Sequence, residues 1–302
     1  MVQYDPKAWF RITFSVRGTV LRRVSARLLE MAAITAALCL LDGYLRDQHG
    51  TALPAFNPIG HTVMGVAVGL LIVFRNNCSY DRFWEGRRLW GMIVNASRNL
   101  MRGAAAYVGA APELARLVAA YAVSLKLHLR RQTDFRELER LAPADVLAQA
   151  SVHANVPSAL AYFLSAWIQE RRGEGKLDPE QARTLETYVA QLLDCQGGCE
   201  RIRLTPIPFA YAVHIKQFLM IYLVTLPFVV IPMMGWLAVP LVVVTTFGLY
   251  GIEEASVEIE DPFGTDPNDL PLDQICATIE RDAYALALLP LPTSEGLIAA
   301  SR

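Results

Sequence analysis

The chain has 302 residues, of which 53% are apolar and 19% charged, with a formal net charge of −1. That is too apolar for an ordinary soluble domain and too charged for a chain lying wholly in lipid, so membrane spans beside a sizeable polar region is the natural division. The near-neutral balance gives no reason to expect a nucleic-acid partner.

The N-terminal stretch MVQYDPKAWFRITFSVRG is polar and basic and lacks an apolar core followed by a small-residue cleavage site, so no signal peptide is expected. The first candidate span covers about 28–44 and is weak, because Glu30 and Asp42 bracket only eleven uncharged residues. The second covers 58–74, with Asn57 as N-cap and Pro58 at the first helical position. Its residues Ile59, Val63 and Ala67 recur every four positions and form one stripe. Gly65 and Gly69 lie on roughly the opposite face, where small residues let helices approach closely. An apolar stripe facing a symmetry axis gates by dewetting; the same stripe also suits lipid or a neighbouring helix.

Residues 76–213 read as helical and amphipathic, with breaks near Pro112, Pro143 and Pro157 and at the GEGK turn 173–176. Asp178-Pro179-Glu180 reads as a helix start, with Asp178 as N-cap and Glu180 in the first turn. From Phe218 to Ile252 there is no charged side chain, a run of 35 residues. As one helix it would extend roughly 52 Å, well beyond the ~30 Å of a bilayer core. Pro227, Pro232, Gly235 and Pro240 interrupt it, so a hairpin of spans 216–234 and 236–252 is predicted, turning at Gly235-Trp236. The chain then enters an acidic stretch holding Glu253, Glu254, Glu258, Glu260, Asp261, Asp266, Asp269 and Asp273. Its turn-rich part, from Asp261 to Asp269, presents carboxylates at a spacing that suits Ca²⁺ without matching an EF-hand; a solvated acidic turn is the plainer alternative.

Flanking charge orients the spans. Six Lys and Arg precede the first, one (Arg46) lies in the loop 42–57, and six follow the second. The positive-inside rule then places both termini and the long middle segment in the cytoplasm. The expected organisation is an all-α membrane protein of four transmembrane helices plus a helical cytoplasmic domain. Its segments are 1–75 (spans one and two), 76–213 (cytoplasmic), 214–252 (the hairpin) and 253–302 (acidic loop and C-terminal segment). The five cysteines are scattered and odd in number, as free thiols in a reducing compartment are. Cys195 and Cys199 stand at i, i+4, but no His lies in their local stretch, so helix packing explains them better than a metal does. No hydrolase, P-loop, zincin or dinucleotide motif occurs, which argues against an enzyme.

Three blocks, FRNNCSYDRFWEGRRLWG (74–91), ERIRLTPIPFAYAVHIKQFL (200–219) and IEDPFGTDPNDLPLD (259–273), together resemble the bestrophins in their bacterial form, in order and across essentially the whole chain. The resemblance implies a homopentameric ion channel of a bacterial inner membrane, embedded in the lipid bilayer and passing monovalent ions through one central pore. It implies an apolar neck on the second span; counting back from Arg75, the neck positions are Ile59, Val63 and Ala67, where Ala67 departs from the bulkier residues usual in the family. A second constriction follows an Asp-Pro pair, here at Glu180, where relatives often carry an aliphatic residue. A ring of carboxylates there would concentrate cations, so a cation-preferring (Na⁺/K⁺) channel is expected, with an anion (chloride) channel as the alternative. Animal members bind Ca²⁺ in a clasp whose matching side chains are Glu258, Asp261, Asp266 and Asp269; Pro267-Asn268 interrupts the acidic run here. No cofactor is required by this reading, and Ca²⁺ is an option at the acidic loop. Outside the family, a membrane-bound metal-dependent hydrolase using the 253–269 carboxylates and a helical anchoring scaffold are the rival readings.

Overall fold

A computed structural model describes residues 5, 7–15 and 18–287; the expected C-terminal segment 288–302 and the first four residues lie outside the described residues. Among the described residues the structure is helical and contains no strand. Two compact units emerge, one formed by the chain up to Phe83 with Pro206–Asp261, the other by Trp84–Thr205 with the chain from Pro262 onward.

The first unit holds the apolar helices. A short helix α1 (Trp9–Thr13) precedes α2 (Leu21–His49), and α3 (Pro58–Val108) lies in this unit as far as Phe83. Helix α9 (Phe209–Met234) and helix α10 (Ala238–Glu260) are joined by the 3₁₀ turn Gly235–Leu237, in which Gly235 adopts a φ of +56° that favours glycine. Three stretches, Leu21–His49, Pro58–Val108 and Phe209–Glu260, are long and apolar enough to cross a membrane. The third is the broken one. Lys216 Nζ lies 2.9 Å from Glu253 Oε1, and these residues stand almost equally far along the chain from Gly235, so α9 and α10 fold back on each other as a hairpin.

Helix α2 runs antiparallel to α10. Cys39 Sγ donates to the Gly235 carbonyl at 3.6 Å near one end, and Arg23 pairs with Glu254 and Glu258 at 3.7 and 3.6 Å near the other. Met31, Val68, Ile72, Leu219, Leu223 and Val242 are among the side chains that close the core between these helices. Asp42, which weakens the first span on paper, is buried and neutralised locally. It accepts from Arg46 Nε one turn later at 2.7 Å and from the Leu53 N–H at 2.9 Å.

The second unit contains the rest of α3, then α4 (Pro112–Leu129), α5 (Arg136–Glu139), α6 (Ala144–Ser151), α7 (Val156–Gly173), α8 (Pro179–Leu204) and α11 (Leu272–Leu286). Helix α4 is buried on nearly all sides and is the core of this unit, packed by α7, α8 and α11. Tyr121 on α4 donates to the Leu192 carbonyl at 2.8 Å, and Cys276 Sγ on α11 to the Ala122 carbonyl at 3.4 Å. Charge closes the same seam. Lys126 Nζ reaches Glu137 at 2.5 Å and Asp273 at 2.9 Å, Arg130 reaches Asp273 at 3.0 Å, and Arg140 pairs with buried Glu280.

The expected breaks at Pro112, Pro143, Pro157 and 173–176 coincide with helix ends. Helix α3 continues without interruption from the apolar span through Val108, because no proline falls between Pro58 and Pro112. The chain stays helical beyond Ile252 to Glu260, with the glutamates of α10 meeting Arg23, Arg27, Arg75 and Lys216, and the turn-rich part expected from Asp261 to Asp269 follows it. The compact units divide at 83/84, 205/206 and 261/262.

Two predictions follow from these ion pairs. Glu253 is only 1% exposed and pairs with both Arg75 and Lys216; Arg75 keeps Glu260 at 3.2 Å and Lys216 is half-exposed, so Glu253→Ala should cost about 1–3 kcal/mol. A fall in the thermal midpoint of detergent-solubilised protein, with none for Asp134→Ala on the surface, is the expected result. Burial alone would raise the Asp273 and Asp282 carboxyls, but Lys126 and Arg130 for the first, and Arg98 and Arg281 for the second, outweigh it and hold both below the ordinary 3.8. Groups lowered in the folded state stabilise above their unfolded value and lose that contribution as pH falls through the folded one. The midpoint should therefore drop on acidification below about pH 4, measured as melting temperature against pH.

Candidate channel-lining and aperture residues

The first turn of α3 is built as its sequence dictates. Asn57 Oδ1 accepts the Ile59 N–H at 2.8 Å, and Pro58, which has no N–H to satisfy, occupies the first helical position. From there the helix presents two unlike faces. His61, Val68, Ile72, Arg75 and Ser79 are buried. On the other side Ile59 is 74% exposed and Val63 66%, with Val66, Leu70, Val73 and Phe74 also exposed. Ala67 is half-buried at the edge of this face. The geometry explains why: a step of four residues advances an α-helix by about 40° beyond a full turn, so a strict i, i+4, i+8 row drifts round the cylinder. Alternating steps of three and four keep Val66 and Leu70 with Ile59 and Val63. A 3.6-residue count along the span, rather than a fixed step of four, identifies those residues.

Gly65 meets the opposite side as its sequence position predicts. A methyl group there would lie 3.1 Å from Tyr222 Oη and 3.3 Å from its ring, closer than ordinary van der Waals contact, so any side chain larger than glycine's would push the tyrosine back by a few tenths of an ångström. Gly69 has no such neighbour. Where the apolar part of α3 ends, Arg75 is 3% exposed, with Nη2 at 3.2 Å from Glu260 and Nε at 3.8 Å from Glu253. Arg82 Nε donates to the Glu260 carbonyl at 3.0 Å, and Glu260 Oε1 accepts the Ile207 N–H at 3.1 Å.

Glu180 belongs to the second unit. It lies exposed in the first turn of α8, behind a capping box in which Asp178 Oδ1 accepts the Gln181 N–H at 2.8 Å and Gln181 Oε1 accepts the Asp178 N–H at 3.1 Å. Gln181 is a partner the sequence reading missed, although an acid followed three residues later by Gln is a known helix-start signature. Arg183 is exposed one turn beyond Glu180.

Of the four carboxylates considered for Ca²⁺, two belong to each unit. Glu258 is on α10, buried, and paired with Arg23; Asp261 ends that helix. In the second unit the Asp266 N–H donates to Asp269 Oδ2 at 2.7 Å and the Asp269 N–H to the Asp266 carbonyl at 3.1 Å, so Asp269 serves the turn. Among the described residues no three His, Cys, Asp or Glu side chains gather as a metal ion requires. Cys195 and Cys199 are buried free thiols of α8; burial pushes both up and carries Cys199 beyond the usual thiol range.

With this geometry in view, comparison with known proteins is informative. Residues 1–285 match the family described as Bacterial/Fungal Bestrophin protein. The voltage-dependent anion channel-forming protein alr2987 of Nostoc sp. strain PCC 7120 is 38% identical over 292 residues, which span 94% of this chain and 93% of that protein. The similarly named sll1024 of Synechocystis sp. strain PCC 6803 is 35% identical over 296 residues, 95% and 94% of the two chains. The crystal structure of a bacterial bestrophin homologue from Klebsiella pneumoniae superposes with a TM-score of 0.81 at 27% identity, covering 88% of this chain and 99% of that one. The chain belongs to the bestrophin family. It is a membrane protein, and these relatives carry the names of channel formers, not of enzymes.

Because the capping box holds the turn that carries Glu180, Asp178→Ala should destabilise the second unit by about 1 kcal/mol, whereas Asp178→Ser should retain most of the cap. Thermal melts of the two variants beside the unsubstituted protein check this.

Proposed function

We propose that the protein forms an ion-conducting pore across a bacterial inner membrane, from several copies that contribute α3 to a common path. The observation that carries this reading is the face of α3 bearing Ile59 and Val63, apolar and uncovered among the described residues, in a protein whose full-length relatives are named channel formers. Five copies is the number that the family resemblance implies. The charge asymmetry of the loops supports cytoplasmic termini, and the exposed end of α8 supports Glu180 at a second constriction. Four membrane crossings follow if α9 and α10 each traverse the bilayer, which their hairpin arrangement favours.

The favoured permeant class is small anions, in place of the cation preference expected from Glu180. The relatives' names speak of anions. Local charge supports the same choice. Glu180 sits at the positive end of α8 with Arg183 one turn away, which offsets its carboxylate. Arg87, Arg88 and Arg102 are exposed on α3 and have no acidic partner within ion-pair distance among the described residues. Cation preference is the second reading, and exposed Glu180 is the observation that favours it. Neither reading calls on a cofactor; added CaCl₂ should leave the conductance unchanged.

Purified protein in planar bilayers under an NaCl gradient tests the proposal. A reversal potential on the chloride side, moving toward zero in Arg88→Gln/Arg102→Gln, is expected. A sodium-side reversal that weakens in Glu180→Gln would instead establish the cation reading. Absence of current from demonstrably reconstituted protein would sink both.

A further inference from the structure

A proline inside a helix removes the N–H that would bond to the carbonyl four residues earlier, and in hydrocarbon a freed carbonyl must find another donor. Helix α9 contains two such prolines, Pro227 and Pro232. Four residues before Pro232 is Phe228, whose carbonyl accepts the backbone N–H of Phe56, just ahead of α3, at 3.2 Å. Four residues before Pro227 is Leu223. At the adjoining carbonyl, that of Tyr222, His61 Nε2 lies 3.1 Å away and Thr225 Oγ1 also 3.1 Å. A carbonyl only accepts, so Nε2 carries the proton. The His61 ring also stacks on the Tyr222 ring, with centroids 4.3 Å apart, and the far end of that tyrosine fills the notch left by Gly65 one turn on. The start of α3 is therefore pinned at two points, each beside one of the two breaks in α9.

Histidine is an expensive residue to place in an apolar span, and a leucine or phenylalanine would cover Tyr222 as well. What neither supplies is the N–H. His61 is two residues from both Ile59 and Val63, which puts it about 200° around the helix from each, nearly diametrically opposite. Any roll of α3 about its contact with α9 therefore swings Ile59 and Val63 through a matching arc.

We propose that His61 is a positioning residue for the conduction path: by donating to the Tyr222 carbonyl beside the Pro227 break, it fixes the rotation of the first turns of α3 and so the direction in which Ile59 and Val63 face. The Phe56 N–H on the Phe228 carbonyl is the second pin. This inference rests on the reading above that Ile59 and Val63 line the path.

Two substitutions separate the hydrogen bond from the stacking. His61→Gln keeps a donor and loses the ring; His61→Phe keeps the ring and loses the donor. Each is combined with Val63→Cys or Val68→Cys in a Cys78→Ser background, reconstituted in liposomes, and two quantities are read: the unitary current and the rate at which a water-soluble thiol reagent modifies the introduced cysteine. With His61→Phe, modification at 63 should slow several-fold, modification at 68 should rise, and the unitary current should change; His61→Gln should restore the original pattern. Normal modification rates and currents in His61→Phe, or equal damage in the two variants, would overturn the role assigned to His61. Should His61→Phe fail to assemble, Phe56→Pro removes the second donor without touching the ring and should produce the same shift from 63 toward 68; an unshifted pattern there counts against the docking. Failure of the pore reading is distinguishable, because protein with His61 intact would then pass no current whatever the thiol rates show.

Discussion

Inside a hydrocarbon layer no water is available to a backbone carbonyl, and much of the first unit can be traced to that single constraint. Helix α9 carries two prolines in an uncharged run, and each opens a gap in its hydrogen-bond ladder. One freed carbonyl takes the Phe56 N–H, and beside the other a carbonyl is met by His61 and Thr225. The breaks therefore become attachment points for α3. Gly65 leaves room where the attachment brings Tyr222 against the α3 backbone, and the buried face that continues through Val68 and Ile72 follows the same line of contact. The other side of this part of α3, with Ile59, Val63, Val66 and Leu70, is apolar and exposed among the described residues.

Charge is managed at the ends of the apolar helices. Arg75, Lys216 and Glu253 meet where the uncharged stretches stop, with Glu260 closing the group, while Arg23 and Arg27 hold Glu254 and Glu258. A buried pair of this kind contributes little net stability when intact, since desolvation offsets attraction, yet losing one partner is severe. The cost of a mismatch thus fixes which helix ends meet. The second unit uses the same device differently, with Lys126, Arg130 and Arg140 of α4 and its neighbour gripping Asp273 and Glu280 of α11.

Much of this was legible in the residues, and the reasons for the gaps are physical. Asn57-Pro58 and Asp178-Pro179 mark their helix starts because capping is local chemistry, and Gly235 marks the hairpin turn because few residues adopt its φ. The continuation of α3 past Arg75 was not legible. The composition turns polar there, but hydropathy reports the solvent around a helix and not its continuity. The turn-rich part of the acidic run, Asp261 to Asp269, is legible from its Pro, Gly and Asn, whereas the partners of the glutamates before it, Arg23, Arg75 and Lys216, are distant in sequence, and no local pattern announces a pairing across that separation. Leu70 is exposed on the same face as Ile59 and Val63, and Ala67 is half-buried at its edge, because a row spaced by four drifts round a 3.6-residue turn. His61 attracted no reading at all, since its meaning depends on prolines more than a hundred and fifty residues away.

On the proposed reading, ions travel along the face of α3 that Val63 presents. Block of current by a charged, water-soluble thiol reagent tests it most directly, with single cysteines at Val63 and at Val68 in an otherwise unaltered protein that lacks exposed Cys78. Prompt, reducible block at position 63 and none at position 68 is the expected result. Block at 68 alone, or identical behaviour at both, would contradict it.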